Sequence, residues 1–267
     1  MRPTIAALSV VLAVALSGSH AIAAVSITPA YLEVRLDEGR PSGQFIISNA
    51  GDAQERYRVQ SIHFTFTPDG ALQAIEPGDY SLSEWVVFNP KELTLPPKTT
   101  RAVRFVIAPK RELQPGEYWG GMELESLNTS TGSGTDAGGR EMRIEVVPKI
   151  LVTIFGIVGK PVYSGTIGGT RLVSNGSSSI VETTLTNTGS GRLLVSGTYE
   201  VSDPSGRVVS AGPLQKGYVF RDCHRKIKAI IKEPVEAGSY AIRVKLESPQ
   251  LKEALSDDVV QDFKPEG

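Results

Sequence analysis

Residues 115–125 read Pro115-Gly116-Glu117-Tyr118-Trp119-Gly120-Gly121-Met122-Glu123-Leu124-Glu125. Pro-Gly is a turn signal, and Met122-Glu123-Leu124-Glu125 alternates with the period of two that belongs to a half-buried strand. The same order recurs as Ala237-Gly238-Ser239-Tyr240, running into Val244-Lys245-Leu246-Glu247. A Gly-x-Tyr that opens a late strand lets the ring pack on a core while its hydroxyl reaches back to a backbone group. A second element is also doubled: Ile46-Ile47-Ser48-Asn49-Ala50-Gly51 matches Thr184-Leu185-Thr186-Asn187-Thr188-Gly189. Two copies of a strand with an Asn-x-Gly turn, each followed by a Gly-x-Tyr strand, predict two sandwich domains of related build.

Outward from these repeats the chain reads as short alternating runs. Val25 to Leu36 alternates across a break at Pro29. Arg56 to Thr67 carries Tyr57, Val59, Ser61, His63 and Thr65 on one face and Arg58, Gln60, Ile62, Phe64 and Phe66 on the other. Pro68-Asp69-Gly70 is a turn. Trp85 to Phe88, Arg101 to Ala108 and Tyr118 to Leu127 are further strands. The stretch 128–139 is rich in Gly, Ser and Thr and reads as a flexible hairpin loop. Met142 to Val158 is the longest strand-like run. Gly159-Lys160-Pro161 marks the domain boundary, and about seven strands follow, from Ser179 to Phe263. No stretch holds a period of 3.6 with caps. The expected fold class is all-β, two immunoglobulin-like β-sandwich domains in tandem after a cleaved signal peptide. The domains are 1–24 (signal), 25–159 and 160–267.

The signal is read from Arg2, the apolar run between Thr4 and Leu16, and the small-x-small site Ala21-Ile22-Ala23. No later stretch has the roughly 20 apolar residues that cross a bilayer. The expectation is therefore a protein soluble in the periplasm, or otherwise exported, with no membrane span in the mature chain. Of 267 residues 40% are hydrophobic, with 27 Gly and 17 Pro, which suits many strands joined by turns. The net charge of −1 and the lack of a basic stripe argue against a nucleic-acid partner. The single cysteine, Cys223, leaves both cores to hold by packing alone. Its neighbours Arg221, His224, Arg225 and Lys226 would favour a thiolate, but a half-buried strand residue is the simpler reading.

The chemistry of an enzyme is missing. His63 and His224 are the only histidines after the signal and fall in different domains. A Ser-His-Asp triad or a His-rich metal site needs convergent imidazoles. There is no HExxH, CxxC, EF-hand loop, P-loop or Gly-x-Ser-x-Gly. The sequence therefore offers no catalytic residue, no metal ligand set and no cofactor, and it points to a non-enzymatic binding protein.

The first domain resembles the N-terminal domain of the periplasmic pilus chaperones of chaperone–usher systems. The likeness is carried by Ala24-Val25-Ser26-Ile27-Thr28-Pro29, by Phe45-Ile46-Ile47-Ser48-Asn49 with Tyr57-Arg58-Val59-Gln60, and by Phe88-Asn89-Pro90 through Leu93-Thr94-Leu95-Pro96-Pro97-Lys98 to Arg101-Ala102-Val103-Arg104-Phe105. A long Gly/Ser loop and a long alternating strand complete it. The likeness spans about residues 24–159 and is distributed rather than motif-like.

The resemblance implies strand donation, in which the last strand of the domain is lent to an incomplete subunit and its alternate apolar side chains fill the open groove. Met142, Ile144 and Val146 stand on one face and would be the donors; facing their own core is the equal alternative. The family's Arg and Lys, which hold the subunit's terminal carboxylate, align with Tyr31 and Leu151, neither of them charged. Lys149, two residues away, is the candidate anchor. The implied partner is a β-rich secreted or surface-fibre subunit, and with it an outer-membrane usher. The competing expectation is a structural or adhesive envelope protein that binds through the loops 128–139 and 203–218.

Overall fold

The computed structural model describes residues 25–128, 130–135 and 141–265, and no helix occurs among them. The expected signal segment and its cleavage site lie outside the described residues. Of the expected 128–139 loop, 129 and 136–139 also lie outside them, and the expectation is corrected for the rest: Ser130–Thr135 is a strand, paired with the one that follows.

The first sandwich contains β1 (Val25–Thr28), β2 (Tyr31–Arg35), β3 (Ser42–Asn49), β4 (Glu55–Phe66), β5 (Leu72–Ile75), β6 (Val86–Asn89), β7 (Glu92–Leu95), β8 (Thr100–Ile107), β9 (Gly116–Ser126), β10 (Ser130–Thr135), β11 (Glu141–Val146) and β12 (Lys149–Val158). One sheet has the order β1-β3-β8-β6 and the other β2-β12-β9-β4-β5, with β7 also on β4. A cis proline stands at two of the points where the chain crosses from one sheet to the other. Pro29 separates β1, which pairs with β3, from β2, which pairs parallel with β12. Pro90 separates β6 on β8 from β7 on β4. Proline has no N–H to give a ladder, so a strand ends there and its neighbour starts afresh. The run expected as one strand from 142 to 158 is likewise two, because Val147 and Pro148 fall outside both β11 and β12.

The second sandwich contains β13 (Gly165–Asn175), β14 (Ser178–Asn187), β15 (Leu193–Ser202), β16 (Val208–Val219), β17 (His224–Ile231), β18 (Gly238–Glu247) and β19 (Leu255–Phe263). Its sheets are β13-β14-β17 and β16-β15-β18-β19. The expected binding loop 203–218 is corrected here: only 203–207 is a turn, and β16 occupies the rest as an edge strand, the position in which Pro213 is tolerated. Cys223 precedes β17 and lies in no strand.

Both doubled elements fold as their sequences suggest. Asn49 accepts from the Gly51 N–H at 2.9 Å and donates to the carbonyls of Ala53 (2.7 Å) and Leu95 (3.1 Å). Asn187 accepts from Gly189 at 2.9 Å and donates to Gly191 (2.8 Å) and Val219 (2.9 Å). Each amide closes its own Asx turn and ties it to a neighbouring strand end. The Tyr118 hydroxyl donates to the Gln114 carbonyl at 3.1 Å, and Tyr240 to Glu236 at the same distance. Inward residues build two cores, around Phe45, Ile47, Phe105, Leu124 and Ile154 in one sandwich and Val181, Leu185, Val195, Val244 and Leu246 in the other.

A third cluster joins the sandwiches. Phe64, Trp119 and Phe155 of the first pack on Phe220 of the second, with ring centroids 5.6, 4.8 and 6.2 Å from it. Arg192 lies 3.6 Å over the Phe155 ring and pairs with Glu33 and the buried Glu117. The β4–β5 turn also reaches across: the Lys226 N–H donates to Pro68 O at 2.8 Å, and Asp69 meets Lys228 at 2.6 Å.

Candidate interaction edge

β2 begins opposite Thr153, whose N–H donates to Ala30 O at 3.2 Å, and covers β12 from Thr153 to Ile157. Lys149 to Val152 therefore have β9 on one side and no strand on the other among the described residues. Backbone groups in a strand alternate in direction, so Leu151 and Lys149 share the side of Thr153 and face the open edge.

This open edge runs on into β11. That strand pairs with β10 alone, in the register Gly134↔Met142, Gly132↔Ile144 and Ser130↔Val146. Met142, Ile144 and Val146 share one face by their period of two, at register positions opposite two glycines and a serine. Val146 is 52% exposed and Val147 39%. The three predicted donors thus lie in a hairpin that extends beyond the β9–β12 pair, with one side of β11 unpaired among the described residues. Pro148 punctuates the edge, yet its carbonyl still accepts from the Ser126 N–H at 2.9 Å, which ties the hairpin base to β9.

Lys149, the candidate anchor, is already engaged. Its Nζ lies 3.0 Å from Glu123 and 2.9 Å from Glu125. Hydrogen bonds to Glu125 and then Glu123 hold the Lys149 amine above its usual range, and the same lysine holds the Glu125 carboxyl below its own. Gln60 donates to Glu123 at 2.6 Å, extending this ladder onto β4. A partner's carboxylate at Lys149 would have to displace one of two glutamates. Tyr31 is 58% exposed at the head of β2. Leu151 packs toward the aromatic junction and fills the space above Gly121, where an added Cβ would lie 2.3 Å from its Cδ1.

Other residues singled out in the sequence sit at the junction. Cys223 is half-buried with its Sγ 3.7 Å from Thr65 Oγ1, and burial raises its thiol pKa, the opposite of what its basic neighbours in sequence suggested. His63 is buried at the inner end of the same region. What the sequence did not reveal is the open side of β12 itself, because that depends on where β2 starts. Its signal was Pro29, two residues before the strand that leaves the edge bare.

No protein-family model matches the chain, and no curated protein does. Solved structures similar to it include the YadV chaperone, 10% identical with a TM-score of 0.47, covering 89% of this chain and 99% of that one. The Pseudomonas aeruginosa CupB2 chaperone is 11% identical with a TM-score of 0.43, covering 87% and 98%. A chain of the Acinetobacter baumannii CsuC–CsuE complex, a chaperone with a tip adhesion subunit of archaic chaperone–usher Csu pili, is 13% identical with a TM-score of 0.43, covering 88% and 97%.

Proposed function

We propose that this chain is a periplasmic chaperone-like protein that binds β-rich pilus or surface-fibre subunits by lending them β11 and the open end of β12. The observation that carries the reading is the continuous edge from β11 to Val152, unpaired among the described residues, with apolar residues at alternate positions 142, 144 and 146. An unpaired edge offers a row of backbone donors and acceptors, and the apolar row gives a partner's groove something to bury. Its extension as a hairpin beyond the sandwich favours a role outside the domain's own core.

The client is a subunit short of one strand. Lys149, with its two glutamates, stands at the base of the lent segment, where a client's end group would meet it. No step of this reading requires a reacting group, so the protein acts by binding alone.

The test is Ile144→Asp, compared with the wild-type protein in co-purification from its native periplasm. A charge cannot enter an apolar groove cheaply. The variant should fold with an unchanged circular dichroism spectrum and lose its client. A variant that recovers the client at the wild-type level would end the strand-donation reading.

A further inference from the structure

His63 has no part in the interaction edge, yet it adjoins two of the contacts that join the sandwiches. It is 5% exposed, its Nδ1 has no hydrogen-bond partner, and its ring lies 5.2 Å from that of Trp119. Trp119 carries the junction cluster, 4.8 Å from Phe220 of the second sandwich. His63 also opens the β4–β5 ladder, opposite Ile75, and the turn of that hairpin holds the second sandwich through Pro68 and Asp69.

We propose that His63 is a proton-sensitive latch on the domain junction: neutral, it lets the sandwiches close on each other; protonated in a mildly acid medium, it opens them.

A second ring proton would be an N–H without an acceptor in a dry site, and a buried charge without a partner is costly. Burial already holds the ring's pKa below its usual range, and only the Trp119 backbone acts in the other direction. Among the described residues no charged neighbour compensates. β4 has no charged residue between Arg58 and Asp69, and β5 has none. On β9, Glu117 is taken by Arg192 and Glu123 by Lys149. The segment between β5 and β6 brings Asp79, paired with Arg111, Tyr80, covered by Arg221, and the exposed Glu76 and Glu84. The second sandwich brings Cys223, whose thiol is neutral in this range, the exposed Asp222, paired with Arg221, and the exposed His224 and half-buried Arg225, neither of which supplies a negative charge.

The sign follows from the lowered value. The closed form keeps its full advantage above the free-histidine pKa of about 6.5 and loses it as the pH falls toward the ring's lower value in the closed protein. The Asp69–Lys228 contact cannot produce a change there. Lys228 holds the Asp69 carboxyl below its usual range, so that contribution persists until the pH falls below about 4.

Cys223, the only cysteine, sits half-buried at the junction and reports its opening. The mature chain is labelled with 4,4′-dithiodipyridine from about pH 7.5 to about pH 5, and each rate is divided by that of the denatured chain at the same pH. The wild-type ratio should rise by up to about tenfold per pH unit below about 6.5, with unchanged circular dichroism. His63→Gln and His63→Phe, two variants with no ring to titrate, should stay flat. Where neither variant folds, small-angle scattering of the wild-type protein decides, and its radius of gyration should grow over the same range. A flat wild-type ratio, an equal rise in a folded variant, loss of the β spectrum with the rise, or an unchanged radius would each overturn the proposal.

Discussion

At the scale of single residues, the two asparagines argue most directly from sequence to stability. Asn187 is 2% exposed and its amide makes three hydrogen bonds, to Gly189, Gly191 and Val219. Removing it leaves two buried carbonyls and one N–H unpaired, and each such group costs about 1–3 kcal/mol. Asn187→Ala should therefore lower stability in urea unfolding by several times that of an exposed substitution, which is usually within about 0.5 kcal/mol. A loss no larger than that surface value would mean water replaces the amide. These residues were legible because their chemistry is local. An Asn two residues before a Gly closes its Asx turn, and a Tyr four after a turn carbonyl its hydroxyl bond, within the same few residues; the asparagines' bonds to Leu95 and Val219 depend on where the rest of the chain goes. Cys223 was not legible for the opposite reason: Thr65, its polar neighbour, is far away in sequence.

At the scale of elements, what the sequence left open was pairing. β13 went unrecognised because Gly168 and Gly169 interrupt its alternation, and the register shifts there, between Gly168 and Arg171. β10 is Ser-Thr-Gly-Ser-Gly-Thr, which carries no apolar face to read. β13 is also an edge, and a side chain from the other sheet covers it. Gln261 accepts from the Leu172 N–H at 2.8 Å and donates to the Leu172 carbonyl at 2.8 Å, occupying the place of a strand partner. Gln261→Leu keeps the bulk and removes both bonds. It should cost about 1–3 kcal/mol and speed exchange of the Leu172 amide hydrogen. An unchanged exchange rate at Leu172 would show that the amide of Gln261 does not guard this edge.

At the scale of the whole molecule, the decisive surface is the one that periodicity could only half describe. Ile62, Phe64 and Phe66 alternate correctly for burial, but a period of two says that a face is covered, not by what. The cover is Phe220, which lies 2% exposed between Phe64, Phe66, Trp119 and Phe155 and belongs to neither sandwich core. Sandwiches joined only by a linker would melt separately, whereas a large apolar junction couples them. The wild-type chain should therefore unfold in one calorimetric transition. Phe220→Ala removes the hub, at a cost of about 3–5 kcal/mol for a buried aromatic truncation, while leaving the cores around Leu124 and Val244 in place. It should split the trace into two transitions, each with a smaller enthalpy. The other links include the ion pairs of Arg192 with Glu33 and Glu117 and of Asp69 with Lys228, whose net worth after desolvation is small, the Arg221 guanidinium over Tyr80, and the backbone bonds from Lys226 to Pro68 and from Glu117 to Ser190. A single transition in Phe220→Ala would mean that those links, and not the aromatic cluster, hold the two halves together.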